Sequence, residues 1–454
     1  MSKHVTDFQS YEEALNFLYK AIDYEKLIRY QYNASTFSLD RMVRMLEYAG
    51  NPHKGFPSIH ITGTKGKGST SIMMSTVLEY AGLRAGLFTS PHLIDLKERI
   101  QINHHKISER EFTDILNDLR PYIQHLRDTD LSASPTFFEI LTAVAMLCFK
   151  ENKADISVLE VGLGGRLDST NVVMPWISII TNVGFDHTAI LGNTLSSIAY
   201  EKAGIIKQGV PVLSAVEDPE AFSVIEKTCR EKNARLYLLG RDFWVEETNG
   251  IDRNGARGLQ CKIKTWRHTY NNIFLPLVGT HQAKNCALVL GALEVLREQG
   301  DIAIDDNLIR DAFANVHCPA RIEVFGEKPL IVLDYAHTVD SMRSLKHALF
   351  ENFKFNRLIL ILGFSQDKDL DNILKEVATV GDSIIVTRSK NPRAALPEDL
   401  CQRIEKLCDK QPVIFDNTLD AVIEAKRIAT KNDLICITGS AYVAGEAMQV
   451  LKAI

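Results

Sequence analysis

At 454 residues the chain is too long for one hydrophobic core, and ordinary domain sizes divide it into two or three units. With 45% apolar and 24% charged residues it has the composition of a globular protein, which excludes the disordered and fibrous classes. A net charge of -5 supplies no basic field for nucleic acid or anionic lipid, so any anion site must be local.

The first ten residues, MSKHVTDFQS, carry no apolar run of the kind that opens a secretion signal. The longest apolar runs, at 140–149 and 358–364, are far shorter than a bilayer span, so the expectation is a cytoplasmic protein with no membrane partner. Eight scattered cysteines include no CxxC pair and sit mostly in apolar segments, which predicts buried reduced thiols rather than zinc or disulfides. Between residues 8 and 50 the spacing of Ala14, Leu15, Phe17 and Leu18, then Leu39, Met42, Val43 and Leu46, predicts helices ahead of the first strand. From there short β-branched runs alternate with turns and helical patterns. IHIT leads into GTKGKGS, AGLFT into SPHL, DISVLEV into GLGGRLDSTN and ISIITNV into GFDHT. This alternation predicts an α/β domain built on a parallel sheet. Between about 209 and 280 the texture changes to alternating strands around ETNG and DRNGARG, which predicts an antiparallel flap; helical spacing returns at HQAKNCALVLGALEVL. A second series starts near 320, where LIVLD, LILILG, SIIVT and LICIT each end in turn chemistry followed by a helix. It predicts a smaller, Rossmann-like C-terminal domain, with the boundary at 315/316, dividing the chain into 1–315 and 316–454.

The stretch HITGTKGKGSTS, residues 60–71, packs three glycines, two lysines and several hydroxyls behind a strand and ahead of a helix. A glycine-rich turn in that setting can point backbone N–H groups inward at the positive end of the helix and cradle phosphate. Lys67 would reach the outer phosphates, with Ser69 or Thr70 near a metal. The spacing departs from the common P-loop pattern, which would need a glycine where Ile61 stands. NKAD at 152–155 matches a guanine-reading motif, but it precedes a strand instead of following one, and reads as a turn that ends a helix. Three polar residues then fall at the carboxyl ends of neighbouring predicted strands, where ligands of open α/β sheets collect: Ser90, Glu160 and His187. An acid on an apolar strand, such as Glu160, is costly unless it is paired or bound to a cation. Oxygen ligands with one imidazole suit Mg²⁺ or Mn²⁺ on nucleotide phosphates better than zinc.

GTKGKGS, TSPHL, EVGLGGRLDSTN, TNVGFDHT, EKAGI, GTHQAKN, PARIE, LDYAH and TGSAYVAGE occur in that order over nearly the whole chain. Together they resemble the folylpolyglutamate synthase/dihydrofolate synthase family of the Mur ligase superfamily. Mur ligases proper place a sugar-nucleotide domain of about a hundred residues before the loop, and here the loop begins at Gly63. The resemblance implies a P-loop ATPase domain of the Mur ligase type followed by a glutamate ligase domain. The implied reaction is an ATP-dependent one in which a folate carboxylate is phosphorylated and L-glutamate then attacks. Carried over residue by residue, Gly63, Thr64, Lys65, Gly66, Lys67, Gly68 and Ser69 would hold the triphosphate, and Asn285, Arg321 and Asp334 would grip the rest of ATP. Ser90, Glu160, His187 and a carbamylated Lys202 would bind two magnesium ions, and a monovalent cation stays open. Catalysis would rest on Lys67, Glu160, His187 and Lys202; the alternative for Lys202 is an ordinary surface lysine. Thr136, Phe137, Phe138 and Glu139 with Leu167, Asp168 and Ser169 match pterin-contacting segments, with Phe137 and Phe138 able to stack on a flat ring and Asp168 able to accept from its amino group. The alternative for the two phenylalanines is core packing. Glutamate would sit near His337 and Ser440, although Thr338-Val339 replaces the usual Asn-Pro after DYAH. Members are generally monomers. Whether dihydropteroate is accepted beside folates stays open, as do a non-catalytic ATP-binding regulator and a ligase for another carboxylate.

Overall fold

The computed structural model describes residues 7–25, 37–130, 133–253 and 255–453. The helical spacing expected over 8–50 is met by helices Tyr11–Leu18 and Leu39–Tyr48; residues 26–36 of that span lie outside the described residues.

The strands in chain order are β1 (Ser58–Thr62), β2 (Ala85–Phe88), β3 (Ile100–Ile102), β4 (His105–Lys106), β5 (Ile156–Glu160), β6 (Ile177–Ile180), β7 (Val212–Ser214) and β8 (Leu236–Leu238). They form one sheet in the order β4-β3-β2-β5-β1-β6-β7-β8, in which the six strands from β2 to β8 run parallel and β3 and β4 add an antiparallel edge. β1, β2, β5 and β6 are buried along their whole length, as expected of parallel strands covered on both faces. The two-residue period of β1 sends Ile59 and Ile61 into a core with Met73, Met74, Val77 and Leu78 of helix Lys67–Tyr80 and with Leu288 to Leu293 of helix His281–Gln299. Phe88 and Leu159 point the other way, into a core with Ile140, Val144 and Phe149 of helix Phe137–Glu151.

The antiparallel flap is narrower than the sequence predicts. β7, helix Pro219–Glu231 and β8 extend the parallel sheet, and only β9 (Trp244–Arg253), β10 (Ala256–Lys264) and β11 (Thr269–Leu275) make the separate three-stranded sheet. ETNG is not a turn: Asn249 and Gly250 pair with Gln260 and Leu259 inside the β9–β10 ladder. The chain reverses instead beside Gly255, whose φ of +85° supplies the left-handed residue a tight hairpin needs, and cross-strand pairing carries the earlier Asn-Gly through as extended chain. Asn254 of the expected DRNGARG turn lies outside the described residues.

Val316 and Cys318 still pack in the first core, whereas Ala320 packs in the last one. Beyond it, β12 (Glu323–Glu327), β13 (Leu330–Leu333), β14 (Leu358–Leu362), β15 (Ser383–Val386), β16 (Val413–Ile414) and β17 (Leu434–Thr438) form a second sheet in the order β12-β13-β17-β14-β15-β16. All its pairs are parallel except β12–β13, and helices cover both faces, the doubly wound arrangement expected of a Rossmann-like unit. The carboxyl ends of the two parallel sheets open onto a single cavity, lined from one side by the ends of β1, β2, β5 and β6 and from the other by those of β13, β14, β15 and β17. The cysteines are all free, six of them buried and Cys401 and Cys408 partly so.

Candidate functional site

The loop after β1 has two positions where only glycine fits, Gly63 and Gly66. A Cβ on Gly63 would stand 1.8 Å from Thr181 Oγ1, and one on Gly66, at φ +82°, would stand 2.6 Å from Asn285 Oδ1. The loop is pinned from β6: Asn182 Oδ1 accepts from the N–H of Thr64 at 3.1 Å and of Lys65 at 2.7 Å. Helix Lys67–Tyr80 starts at Gly66 with no side chain capping it, so its first N–H groups are left for an anion. Lys67 Nζ folds back to donate to Gly63 O at 2.9 Å. Gly63 to Gly68 line the cavity, while Ser69 and Thr70 are buried behind them. NKAD caps helix Phe137–Glu151, with Asn152 at its C-cap and Lys153 left-handed at φ +51°, so it is a helix end.

Ser90, Glu160, His187 and Lys202 all line the same cavity. Glu160, 4% exposed, accepts from the Ser90 N–H at 3.0 Å and has no ion pair among the described residues. Burial raises its pKa, with Lys67 offsetting part of the rise. His187 sits at the mouth with a left-handed backbone, φ +50°, and keeps 37% of its side chain open; enclosure and the neighbouring Lys368, Lys65 and Lys67 hold its pKa down to about 4, against the pull of Asp186. Lys202, on helix Leu195–Ala203, is 3% exposed and makes no hydrogen bond or ion pair among the described residues, which removes the surface-lysine alternative. Burial first, and Lys67 second, push its amine well below the ordinary lysine range, toward the neutral form. Among the described residues no group of three or more His, Cys, Asp or Glu side chains converges on one point. The fit to a hard cation rests instead on a buried carboxylate without an ion pair among the described residues, together with a hydroxyl, a neutral imidazole and an amine shifted toward its neutral form.

Of the three residues expected to grip ATP beyond the loop, Arg321 alone lines the cavity, its guanidinium 3.8 Å from the ring of Tyr335. Asn285 donates to Gln282 Oε1 at 2.9 Å and crowds Gly66 from behind. Asp334 accepts from the N–H groups of Ile322 at 3.1 Å and Ala336 at 2.7 Å, so in this structure its carboxylate holds the turn after β13.

At the aromatic end, Thr136 caps helix Phe137–Glu151 in a reciprocal box with Glu139, and Glu139 pairs with Arg41 at 3.0 Å. The two phenylalanines part company. Phe137 is 2% exposed and packs in the core against Tyr19, which corrects the expectation that it could stack on a ligand; Phe138 lines the cavity, tilted against Phe88. Successive helical residues diverge by about 100°, so both cannot face one ligand. Leu167, Asp168 and Ser169 line the same end, but Asp168 accepts from Leu163 N at 3.0 Å, Thr170 N at 3.0 Å and the Thr170 hydroxyl. Its acceptors are engaged within the loop. Ser169 meets Thr142 Oγ1 at 3.0 Å.

Beyond β13, His337 Nδ1 donates to Tyr335 O at 2.9 Å and its Nε2 accepts from Lys65 Nζ at 3.3 Å, and Ser440 caps helix Ala441–Ala453 by accepting from Val443 N at 3.2 Å. Thr338, in place of the usual Asn, closes a capping box with Ser341 and starts helix Val339–Asn352 without a proline. Sequence reasoning missed Asp186, although it precedes His187. It pairs with Lys65 at 2.9 Å and with Lys368, from the second sheet, at 3.1 Å. Lys368, Asp367, Arg393 and Tyr442 also line the cavity, as do Tyr24 and Phe37, whose rings lie 4.6 Å apart. No spacing connects residues so far apart in the chain.

The Mur ligase middle domain matches residues 61–293, and the Mur ligase glutamate ligase domain matches residues 320–441. The dihydrofolate synthase/folylpolyglutamate synthase of Bacillus subtilis is 36% identical over 415 residues, covering 91% of this chain and 95% of the relative. The folylpolyglutamate synthase of Lacticaseibacillus casei is 32% identical, covering 92% and 95%. The structure of Mycobacterium tuberculosis folylpolyglutamate synthase complexed with ADP superposes with a TM-score of 0.89 at 28% identity, over 97% of this chain and 98% of that one. Among the described residues no helix is long and apolar enough to cross a membrane.

Proposed function

The chain belongs to the Mur ligase family, on its folylpolyglutamate synthase/dihydrofolate synthase branch, and on that premise we propose how its cavity joins L-glutamate to a folate. It is an ATP-dependent ligase. The folate carboxylate takes the terminal phosphoryl group of ATP, giving an acyl phosphate and ADP. The amino group of glutamate then attacks that carbonyl, forming the amide and releasing phosphate and a proton.

A carboxylate is a poor acyl donor, and two anions repel as they meet, so the chain has to lower charge where they approach. The Gly63–Ser69 loop offers backbone N–H groups, Lys67 exchanges its contact with Gly63 O for phosphate oxygens, and Arg321 brings a second cation from the other side of the cavity. Ser90, Glu160, His187 and Lys202 would hold Mg²⁺, which when bound neutralises phosphate charge. A buried Lys202 amine, pushed toward its neutral form, would be suited to take up carbon dioxide and become a carbamate ligand, releasing one proton. Phe138, Leu167 and the neighbouring aromatics would receive the pterin, with dihydropteroate as a second acceptor. His337 and Ser440 line the cavity and would receive glutamate, and residues from 316 onward would swing with them, so that chemistry waits for closure.

The observation that carries this reading is Glu160, a buried acid at the end of β5 facing the loop with no ion pair among the described residues. Combining the protein with ATP, Mg²⁺, L-glutamate and either tetrahydrofolate or dihydropteroate should release phosphate in step with amide formation. ATP binding without glutamate-dependent turnover would instead mark a regulator that kept the fold.

A further inference from the structure

Two arginines line the cavity, and neither guanidinium donates a hydrogen bond among the described residues. One is Arg321, placed above on phosphate. The other, Arg393, follows β15 and has been given no task. Its side chain is 17% exposed, its Nε is shut off from solvent, and among the described residues that Nε has no acceptor and the one ionic contact is a long 3.9 Å from Nη1 to Asp367 Oδ2. A guanidinium has five N–H donors in a rigid fork, and an arginine this enclosed ordinarily spends most of them on a carboxylate or on carbonyls. Arg99, which pairs with the cavity-lining Glu25, shows the ordinary case. It gives two bonds to Glu25 at 2.7 and 2.6 Å and a third to His92 Nδ1 at 2.9 Å. That pairing engages Glu25, and among the described residues no hydrogen bond or ion pair joins Glu25 to Arg393.

The charges around Arg393 leave room for one anion. Lys65, Lys368 and Arg393 stand against the carboxylates of Asp186 and Asp367, and Asp186 is taken up by the two lysines. Phosphate is provided for elsewhere: Arg321 Nη2 lies 3.9 Å from where a Cβ on Gly68 would stand, beside Glu160 and Lys67. Ser440 and Tyr442 line the wall together with Arg393. A planar, two-oxygen group suits the fork of Arg393 better than it suits a lysine.

We propose that Arg393 binds a substrate carboxylate that is not itself activated, and so fixes which glutamate unit the cavity accepts. The inference rests on the ligase reading above. Two carboxylates share this chemistry: the α-carboxylate of the incoming L-glutamate, and the α-carboxylate of the glutamate already on a folate acceptor.

Steady-state kinetics of the full chain and of its R393Q and R393K variants separate them. Losing a charge-assisted bidentate contact should raise one KM by about ten- to a hundredfold while leaving the KM for ATP unchanged. R393K, which keeps the charge and loses the fork, should fall between, and thermal unfolding should be unchanged in both because no internal hydrogen bond is lost. If the incoming amino acid is the ligand, the KM for L-glutamate rises with either acceptor. If the acceptor's tail is the ligand, the KM for tetrahydrofolate rises while that for dihydropteroate, which has no α-carboxylate, stays. Unaltered KM values in both variants, or a loss confined to kcat or to ATP, overturn the inference while leaving the ligase reading intact. Absence of glutamate incorporation by the unmodified protein would instead overturn the ligase reading, and this inference with it.

Discussion

Two buried carboxylates sit after the strands that flank β1, and they are neutralised in opposite ways. Glu160, at the end of β5, accepts one backbone N–H and has no ion pair among the described residues, so burial raises its pKa. Asp186, in the loop after β6, is met by Lys65 and Lys368, with His187 and His337 within 4 Å. Burial alone would raise its pKa too, but the two lysines and the two imidazoles outweigh it and hold the carboxyl well below its usual range. The first acid is left wanting a cation. The second is saturated, and because Lys368 comes from the second sheet, it ties the two halves of the cavity together. A buried charge without a protein partner is open to a ligand, whereas one with several holds segments together.

Four substitutions test that contrast. Lys67→Ala should cut the ligation rate by about a thousandfold or more, since a preorganised cation at a phosphoryl group acts chiefly on the transition state; its circular dichroism should be that of the parent. Glu160→Gln should lower the rate by about two to three orders of magnitude by weakening metal affinity. Its urea midpoint should hold or rise, because a lone buried charge has gone, and a clear loss of stability would erase the distinction from Asp186. Asp186→Asn should do the reverse, costing about 2–3 kcal/mol in urea unfolding by stranding two cations, a figure kept below that for a fully buried pair because Lys65 is a quarter exposed. An unchanged midpoint would show that the joint contributes nothing.

The smallest effect concerns a buried group that avoids charge altogether. His60 in β1, 0% exposed, bonds Thr170 Oγ1 at 2.8 Å, and burial lowers its pKa from 6.5 to about 3. As pH falls below 6.5 the unfolded chain takes up this proton before the folded one does, so stability declines from there toward pH 3. His60→Gln should flatten the slope by at most about 1.4 kcal/mol per pH unit, read from denaturation series across that window.

Much of this was legible in the residues. The order of β-branched runs and glycine turns specified two parallel sheets, because a strand covered on both faces must be apolar throughout, and a phosphate loop cannot be built without glycines at Gly63 and Gly66. ETNG misled because cross-strand pairing overrides a local turn signal, and TFFE was ambiguous because Phe137 and Phe138 have the same chemistry and differ only in direction.

By itself the sequence determined most of the strands, the glycine loop and the acid and imidazole at the ends of β5 and beyond β6, since each is a matter of local spacing and side-chain chemistry, whereas Lys202, on a helix, was pointed to only by the family resemblance. Only the tertiary structure decided which charges were already satisfied. Asp168 spends its acceptors on its own loop, Asp334 on the turn after β13, and Asp186 on Lys368 182 residues away, whereas Glu160 and Arg393 are left open to the cavity. Whether a buried charge finds a partner depends on which distant segments pack against it, and no pattern along the chain encodes that distance.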